Sequence, residues 1–263
     1  MRIFAGVMEI ALFEPQNFAA FLWIMAATAV VVFLALLKIE AGYGIAYNSK
    51  WGPSVNNKVG WVLMEAPVFI IMLVLMLMSP RRFEAAPLAM FLIFELHYFQ
   101  RSFIFPLMMK GKSRMPLAIM LMGVIFNSLN ALMQGGWIFY VSAPGRYPVS
   151  WLWSWQFILG TLVFAWGMFT NLQSDSIIRH LRKPGDTKHY LPRGGMFRYV
   201  TSANYLGELM EWVGFAILTW SWAGAVFALW TFANLAPRAR KINARYQREF
   251  GPLTQKSIIP FVY

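Results

Sequence analysis

An all-α integral membrane bundle of seven spans, with the N-terminus outside and the C-terminus in the cytoplasm, is the fold this sequence predicts, on three observations. Apolar residues make up 59% of the chain and charged ones 13%, with a mean hydropathy of +0.52. They come in long blocks rather than amphipathic stripes, each close to the roughly 20 residues a helix needs to cross the hydrocarbon core. The basic residues alternate from one connection to the next. Arg2, Arg81, Arg82 and Arg146 fall on one side and Arg101 within a span, which leaves 18 of 23 Lys and Arg in the connections after odd-numbered spans and in the C-terminal segment. The positive-inside rule puts that side in the cytoplasm. The net charge of +12 thus reads as topology and not as a nucleic-acid footprint.

The blocks run over 17–38, 59–78, 87–109, 116–140, 150–172, 201–220 and 222–240. The first follows Arg2, Glu9 and Glu14 and has no small-residue cleavage pattern behind it, so it reads as a retained span and not a signal peptide. The sixth carries Asn204, Glu208 and Glu211, and only Ser221 separates it from the seventh. Six spans would break the charge asymmetry. With no internal repeat and no linker, residues 1–263 form one domain. The long connections, 39–58 and 173–200, are rich in Gly, Pro, Asn and Tyr. They read as lids or binding loops, with disorder as the plain alternative, against which their aromatic residues count.

With no cysteine, thiolate metal sites, disulfides and cysteine nucleophiles are excluded. GYGIAY at 42–47 lacks the third glycine and the preceding strand of a dinucleotide fingerprint. Walker, zincin and serine-elbow patterns are absent.

Five ionisable residues lie inside spans: Glu65, Glu95, Arg101, Glu208 and Glu211. Each costs on the order of 2.5–3.5 kcal/mol at a helix centre, so together they imply a polar or solvent-accessible bundle interior. Trp61 precedes Glu65 by one turn and Pro67 follows it, loosening the helix ladder. An aromatic wall beside a desolvated carboxyl suits an acid that, when protonated, donates a hydrogen bond; the plainer alternative is a Glu that pairs with Arg101 or His97 to hold helices together. Glu95 and Tyr98 share a helix face and His97 and Arg101 the neighbouring one, with Gln100, Asn127, Asn130 and Gln134 adding amides. A tyrosine hydroxyl in an apolar cavity can donate to a developing oxyanion, although taken alone Tyr98 reads more readily as an interface aromatic than as a catalyst. On NLQSDSIIRHLRKPG, Asn171, Asp175 and Arg182 fall within roughly 40° of one another on a helix, with Arg179 beside them. Asn204, Glu208 and Glu211 repeat that logic, with Trp212 four residues beyond Glu208. Asn234, Arg238, Lys241 and Arg245 form a stripe with the amide deep and the cations shallow, as suits a ligand that leaves its phosphates near the surface. Positive-inside charge and anionic lipid are the competing account of those cations.

The phrases NLQSDSIIRHLRKPGD, YLPRGGMFRYVTSANYLGELMEW, HYFQRSF, Tyr43-Gly44 and IIPF resemble the steroid 5α-reductase (3-oxo-5α-steroid 4-dehydrogenase) family, most densely from 171 onward. The resemblance implies a seven-span enzyme with an NADPH pocket open to the cytosol. It would reduce the carbon 4–carbon 5 double bond of a 3-oxo-Δ4-steroid by hydride transfer to carbon 5, and would need no metal. It implies that Glu65 and Tyr98 are catalytic and hold the 3-keto oxygen, with Trp61 and Trp212 against the steroid rings. Arg101, Asn171, Asp175, Arg179, Arg182, His189, Asn204, Glu208, Arg238 and Tyr246 would form the cofactor site. The expected partners are a steroid or related lipid and the membrane lipid itself, with no nucleic acid and no obligate protein partner. The membrane would be the inner membrane of a bacterium or the endoplasmic reticulum of a eukaryote.

Three positions depart from the family pattern. Met64 replaces a common glutamine at the substrate end, His189 a frequent tyrosine, and Met109-Lys110 a more polar pair. Enone reduction is thereby better supported than the steroid itself. A reductase of another conjugated lipid, such as an enoyl thioester or polyprenol, a membrane methyltransferase of similar architecture, and a transporter with an intramembrane proton path are the competing readings; no inverted-repeat halves favour the last.

Overall fold

The structure is a computed structural model describing residues 10–39, 42, 47–110, 113–182, 186 and 188–263. The Tyr43-Gly44 phrase lies outside the described residues, as do 183–185. Long helices fall where apolar blocks predict them: α1 Pro15–Lys38, α2 Asn57–Met78, α3 Ala85–Phe99, the short α4 Phe105–Met108, α5 Leu117–Gly136, α6 Trp155–His180, α7 Ala203–Thr219 and α8 Trp222–Phe250. Among the described residues, Pro15–Lys38, Asn57–Met78 and Leu117–Val141 are long and apolar enough to cross a membrane by length and composition. The remaining blocks are helical too, but each carries charge or a break. A π-helical turn, Gln100–Ile104, joins α3 to α4, α6 and α8 extend into polar sequence, and α7 has 17 residues.

Local chemistry sets the ends. Ser154 Oγ accepts from Phe157 N at the start of α6, which places the helix later than 150. Between α7 and α8 the chain turns in two residues: Trp220 is left-handed at φ 45°, and Ser221 Oγ accepts from Gly224 N at 3.0 Å. The expected 222–240 block therefore begins on time but continues a further ten residues, to Phe250, because KINARYQREF is rich in helix-forming Lys, Ala, Arg, Gln and Glu. A two-stranded antiparallel pairing of β1 Ser54–Asn56 with β2 Arg114–Pro116, in register Val55↔Met115, was not expected. Each strand leads directly into a helix, so it sets α2 and α5 side by side, starting from the same end.

The tightest packing is between α6 and α7. A Cβ on Gly160, Gly167, Gly207 or Gly214 would collide with backbone of the facing helix: Gly167 with Glu211 N and Gly207 O, and Gly207 with Asn171 N and Gly167 O. The spacing of seven on both helices is a small-residue seam of the kind that lets membrane helices approach backbone to backbone. It carries Asn171 and Asp175 against Asn204 and Glu208. The main apolar core joins α1, α2, α3, α5, α6, α7 and α8; a second, around Phe197, Val200, Leu206, Leu235 and Ile258, closes the end where α7 begins. Outward-facing residues are large and apolar, as with Trp23 at 77% and Leu162 at 63% exposure, the surface lipid would cover.

Candidate active site

Inside the bundle lies a cavity of about 230 Å³ whose walls come from α2, α3, α4, α5, α6, α7 and α8. Trp61 and Glu65 enter from α2, His97 and Tyr98 from α3, and Arg101 from the π-helical turn. Asp175 comes from α6, Asn204, Glu208 and Trp212 from α7, and Asn234 and Arg238 from α8. The predicted substrate residues Trp61, Glu65, Tyr98 and Trp212 thus share one cavity with five of the predicted cofactor residues.

At one end stand the acid and the phenol. Asn127 Nδ2 donates to Glu65 Oε2 at 3.2 Å and to the Met64 carbonyl at 2.8 Å. Glu65 therefore has an amide as its hydrogen-bond partner rather than the Arg101 or His97 weighed from sequence. Asn130 Nδ2 donates to the Tyr98 hydroxyl at 2.9 Å, and Gln134 Nε2 bonds Asn130 Oδ1 at 3.4 Å and the Ala223 carbonyl at 3.0 Å. Asn127, Asn130 and Gln134 sit at i, i+3 and i+7 on α5, a common face that buries all three amides in the bundle interior. The rings are closely set: Trp212, 2% exposed, lies edge-on to His97 at 4.7 Å and tilted against Tyr98 at 5.5 Å. Met64 fills the space left by Gly123, where a Cβ would strike its Cγ and Sδ, so an apolar thioether borders the Glu65 end.

At the other end Arg101 is a hub. Its guanidinium donates to Asp175 Oδ2 at 3.3 Å and Glu208 Oε2 at 3.4 Å, and lies over Trp61 at 5.0 Å and Phe105 at 4.5 Å. The π-helical turn, a frequent feature of functional sites, advances Arg101 relative to Tyr98. Asn171 Nδ2 donates to the Asn204 carbonyl at 2.9 Å. Glu211 does not join this group: it bonds His97 Nδ1 at 2.7 Å. Nor does Glu95 follow Tyr98 into the cavity. It is buried with both carboxylate oxygens lacking a hydrogen-bond partner, while Tyr98, His97 and Arg101 share the cavity side.

Besides Asn171, which reaches the Asn204 carbonyl, four expected cofactor residues stand outside the cavity walls. Helix α6 stops at His180, so Arg182 lies past its end and is exposed, which breaks the single face drawn through Asn171, Asp175 and Arg182. Arg179 is half-buried one turn beyond Asp175, and its carbonyl accepts from Lys110 Nζ. His189 is exposed, with Nδ1 at 3.2 Å from Glu249 Oε2, and Glu249 in turn accepts from Arg245 Nε at 2.7 Å. Tyr246 is half-buried one turn before Phe250. Of the α8 stripe, Asn234 and Arg238 reach the cavity, whereas Lys241 is spent on the Ile39 carbonyl at 2.7 Å. The Arg245 contact holds the Glu249 carboxyl below its usual pKa.

A helical bundle with an apolar exterior and an interior cavity in which an acid and a phenol are each held by an amide belongs to the class of membrane-type helical proteins. Comparison narrows this. The model of the 3-oxo-5-alpha-steroid 4-dehydrogenase family matches residues 113–263. The chain is 37% identical over 239 residues to the steroid 5-alpha-reductase DET2 of Arabidopsis thaliana, covering 87% of this chain and 90% of that protein. It is 37% identical over 257 residues to the human 3-oxo-5-alpha-steroid 4-dehydrogenase 1 (95% and 97% covered) and 39% over 242 residues to the mouse protein of that name (89% and 92%). The chain belongs to the 3-oxo-5-alpha-steroid 4-dehydrogenase family and is an enzyme of steroid metabolism.

Proposed function

We propose that this enzyme spans the membrane seven times, N-terminus outside and cofactor side in the cytosol, and uses NADPH to reduce the carbon 4–carbon 5 double bond of 3-oxo-Δ4-steroids to 5α-dihydrosteroids. The observation that carries the reading is the pairing of Glu65 with Asn127 and of Tyr98 with Asn130 at one end of a cavity whose other end holds Arg101, Asp175, Asn204, Glu208 and Arg238. That second set fits a dinucleotide by its chemistry: carboxylates and amide oxygens accept from ribose hydroxyls and a carboxamide, and Arg238 answers phosphate. Asn171 braces Asn204, while Arg179, Arg182, His189 and Tyr246 would reach the outer part of the same ligand. Bound NADPH supplies the hydride for carbon 5.

The chain's own residues do the rest. As carbon 5 accepts the hydride, charge moves through the conjugated enone to the 3-keto oxygen, and the reduction is completed when the resulting enolate takes a proton from solvent at carbon 4. The Tyr98 hydroxyl accepts from Asn130, so its own proton is free to be donated to that oxygen. Glu65 accepts from Asn127 at Oε2, which leaves Oε1, in the neutral acid, as a second donor. Two oriented donors in a dry site are worth several kcal/mol at a developing oxyanion. Trp61 and Trp212 exclude water and bound the ring system. The test is product analysis by mass spectrometry after membranes carrying the protein receive NADPH and testosterone or progesterone. A 5α-dihydro product that falls at least 10²-fold with Glu65→Gln is expected. NADPH binding with no product from either steroid would transfer the proposal to another conjugated lipid.

A further inference from the structure

The turn over Ile258–Tyr263 holds two large apolar side chains in the open: Phe261 is 80% exposed and Val262 73%. It is not a loose segment. Ile258 N and Ile259 N both donate to the Tyr263 carbonyl at 2.8 Å, and Tyr263 N returns to the Ile259 carbonyl at 3.0 Å. Ile258 is fully buried in the second core. Phe261 is left-handed at φ 65°, a conformation costly for an aromatic residue. A turn that is bonded, anchored and strained in order to present Phe261 and Val262 outward needs an apolar neighbour.

Where that turn sits identifies the neighbour. Thr201 N donates to the Lys256 carbonyl, Lys256 N to the Tyr199 carbonyl, and Ser202 N to the Ser257 carbonyl; the Phe261 ring packs on Tyr199 at 5.8 Å. Tyr199, Thr201 and Ser202 lie just before Ala203, where α7 begins. If α7 is a span, as in the proposed topology, the turn lies level with the bilayer interface, where aromatic side chains belong. Beside it runs a shallow groove of about 340 Å³ with Leu191, Phe197 and Leu253 along it and Arg193 and Arg198 at its edge. Both arginines are exposed and make no ion pair among the described residues, and the exposed Lys256 adds a third cation. The groove shares no residue with the catalytic cavity.

We infer that Phe261 and Val262 form an interfacial wedge and that Arg193 and Arg198 beside it bind the phosphate of an anionic phospholipid. The lipid's acyl region covers the two apolar side chains while its headgroup neutralises the arginines, the combination used by surface-seated basic and apolar segments.

The chain contains no cysteine, so a nitroxide can be placed at one chosen position. Full-length protein with Val262→Cys is labelled and inserted in nanodiscs of phosphatidylcholine alone or with one-third phosphatidylglycerol. Access to oxygen, which concentrates in lipid, is compared with access to a water-soluble nickel chelate. Leu162→Cys on the exposed face of α6 serves as the lipid reference and Arg248→Cys as the water reference. The expected result is a label at 262 shielded from nickel at least threefold relative to 248, with the shielding greater in anionic discs and the difference lost in Arg193→Ala/Arg198→Ala. Nickel access equal to that at 248 overturns the wedge. Protection from both reagents, the sign of a protein neighbour, overturns it as well, and shielding indifferent to lipid charge and to the arginines overturns the assignment of the occupant. A label at 162 open to nickel would instead refute the membrane reading of the bundle, an outcome separate from these three.

Discussion

Replacing Gly207 by alanine tests whether the α6–α7 seam, and not the cavity residues alone, sets the geometry of the proposed cofactor end. The new Cβ would lie against Asn171 N, 2.7 Å from the Gly167 carbonyl oxygen and 2.8 Å from Asn171 Cα. All three are backbone, so no rotamer change relieves the clash and the helices must part by roughly 1 Å, an overpacking that costs about 1–3 kcal/mol. For a chain of this size that lowers Tm by about 2–10 °C. The functional cost is larger. Arg101 reaches Asp175 on α6 and Glu208 on α7 at 3.3 and 3.4 Å, already near the limit of hydrogen bonding, so parting these helices releases at least one of them. A displacement of that size at a reacting centre costs on the order of 10² in rate. Thermal unfolding in detergent and steroid turnover with NADPH, measured on the same preparation, check both figures. Full activity with an unchanged Tm would refute the claim that the seam positions the site.

Arg101→Met leaves Asp175 and Glu208 facing each other without their cation; a loss of about 3–5 kcal/mol is expected, read as a collapse in Tm and in the folded yield, with Arg101→Lys intermediate. Asn130→Leu removes the donor to the Tyr98 oxygen, and kcat should fall about tenfold with KM for the steroid changed less than threefold; Asn130→Gln should recover part of it. The Arg245–Glu249–His189 contact carries the pH prediction. Because Glu249 is held below its ordinary pKa, its link is complete above the free glutamate value of about 4.3 and is lost as pH falls below it. Hydrogen-exchange protection over 245–250, corrected for intrinsic rate, should drop on that side only, and Glu249→Gln should abolish the pH dependence.

Features set by composition and period are legible in the sequence, and features set by docking are hidden in it. The apolar blocks located the helices, although α6 and α8 run about eight and ten residues past theirs, and Glu65, Tyr98, Arg101, Asp175, Asn204, Glu208, Trp212 and Arg238 were legible as members of a shared interior because a polar or aromatic group in an apolar helix needs one. The partner of each was not, since it depends on how α5 is rotated about its axis. Asn127 and Asn130 could be named as intramembrane amides but not aimed at Glu65 and Tyr98. Glu211 illustrates the same limit: its spacing from Glu208 put it on the cofactor stripe, yet the facing His97 claims it. The π-helical turn at Gln100–Ile104 shifts the helical period just where Arg101 leaves α3, and no local propensity announces it. Gly160, Gly167, Gly207 and Gly214 were present at a spacing of seven, but a seam exists only when two helices bring matching notches together. Arg182, His189 and Tyr246 hang on the end of α6, the connection beyond it and the extension of α8, which a helical wheel treats as continuous helix.

The amides of α5 do something that carboxylates or hydroxyls in their place could not. A backbone carbonyl only accepts, so the Ala223 carbonyl fixes the Gln134 Nε2 hydrogens toward itself and toward Asn130 Oδ1; Asn130 is then forced to present its nitrogen to Tyr98. The Tyr98 oxygen, already accepting, has its proton left for the cavity. The Met64 carbonyl does the same for Asn127, whose nitrogen bonds Glu65 Oε2. Each chain of donors begins at a main-chain oxygen that cannot reverse and ends at Tyr98 or Glu65, so under the proposed mechanism both groups are oriented before a ligand arrives. A serine in place of Asn130 could accept from Tyr98 as readily as donate to it, and an ionised aspartate could only accept, so that the phenol would spend its proton within the protein. The polarity of the cavity is therefore set by main-chain oxygens of α2 and α8 acting through the amides of α5, and it reaches the cavity at Glu65 and Tyr98, on α2 and α3.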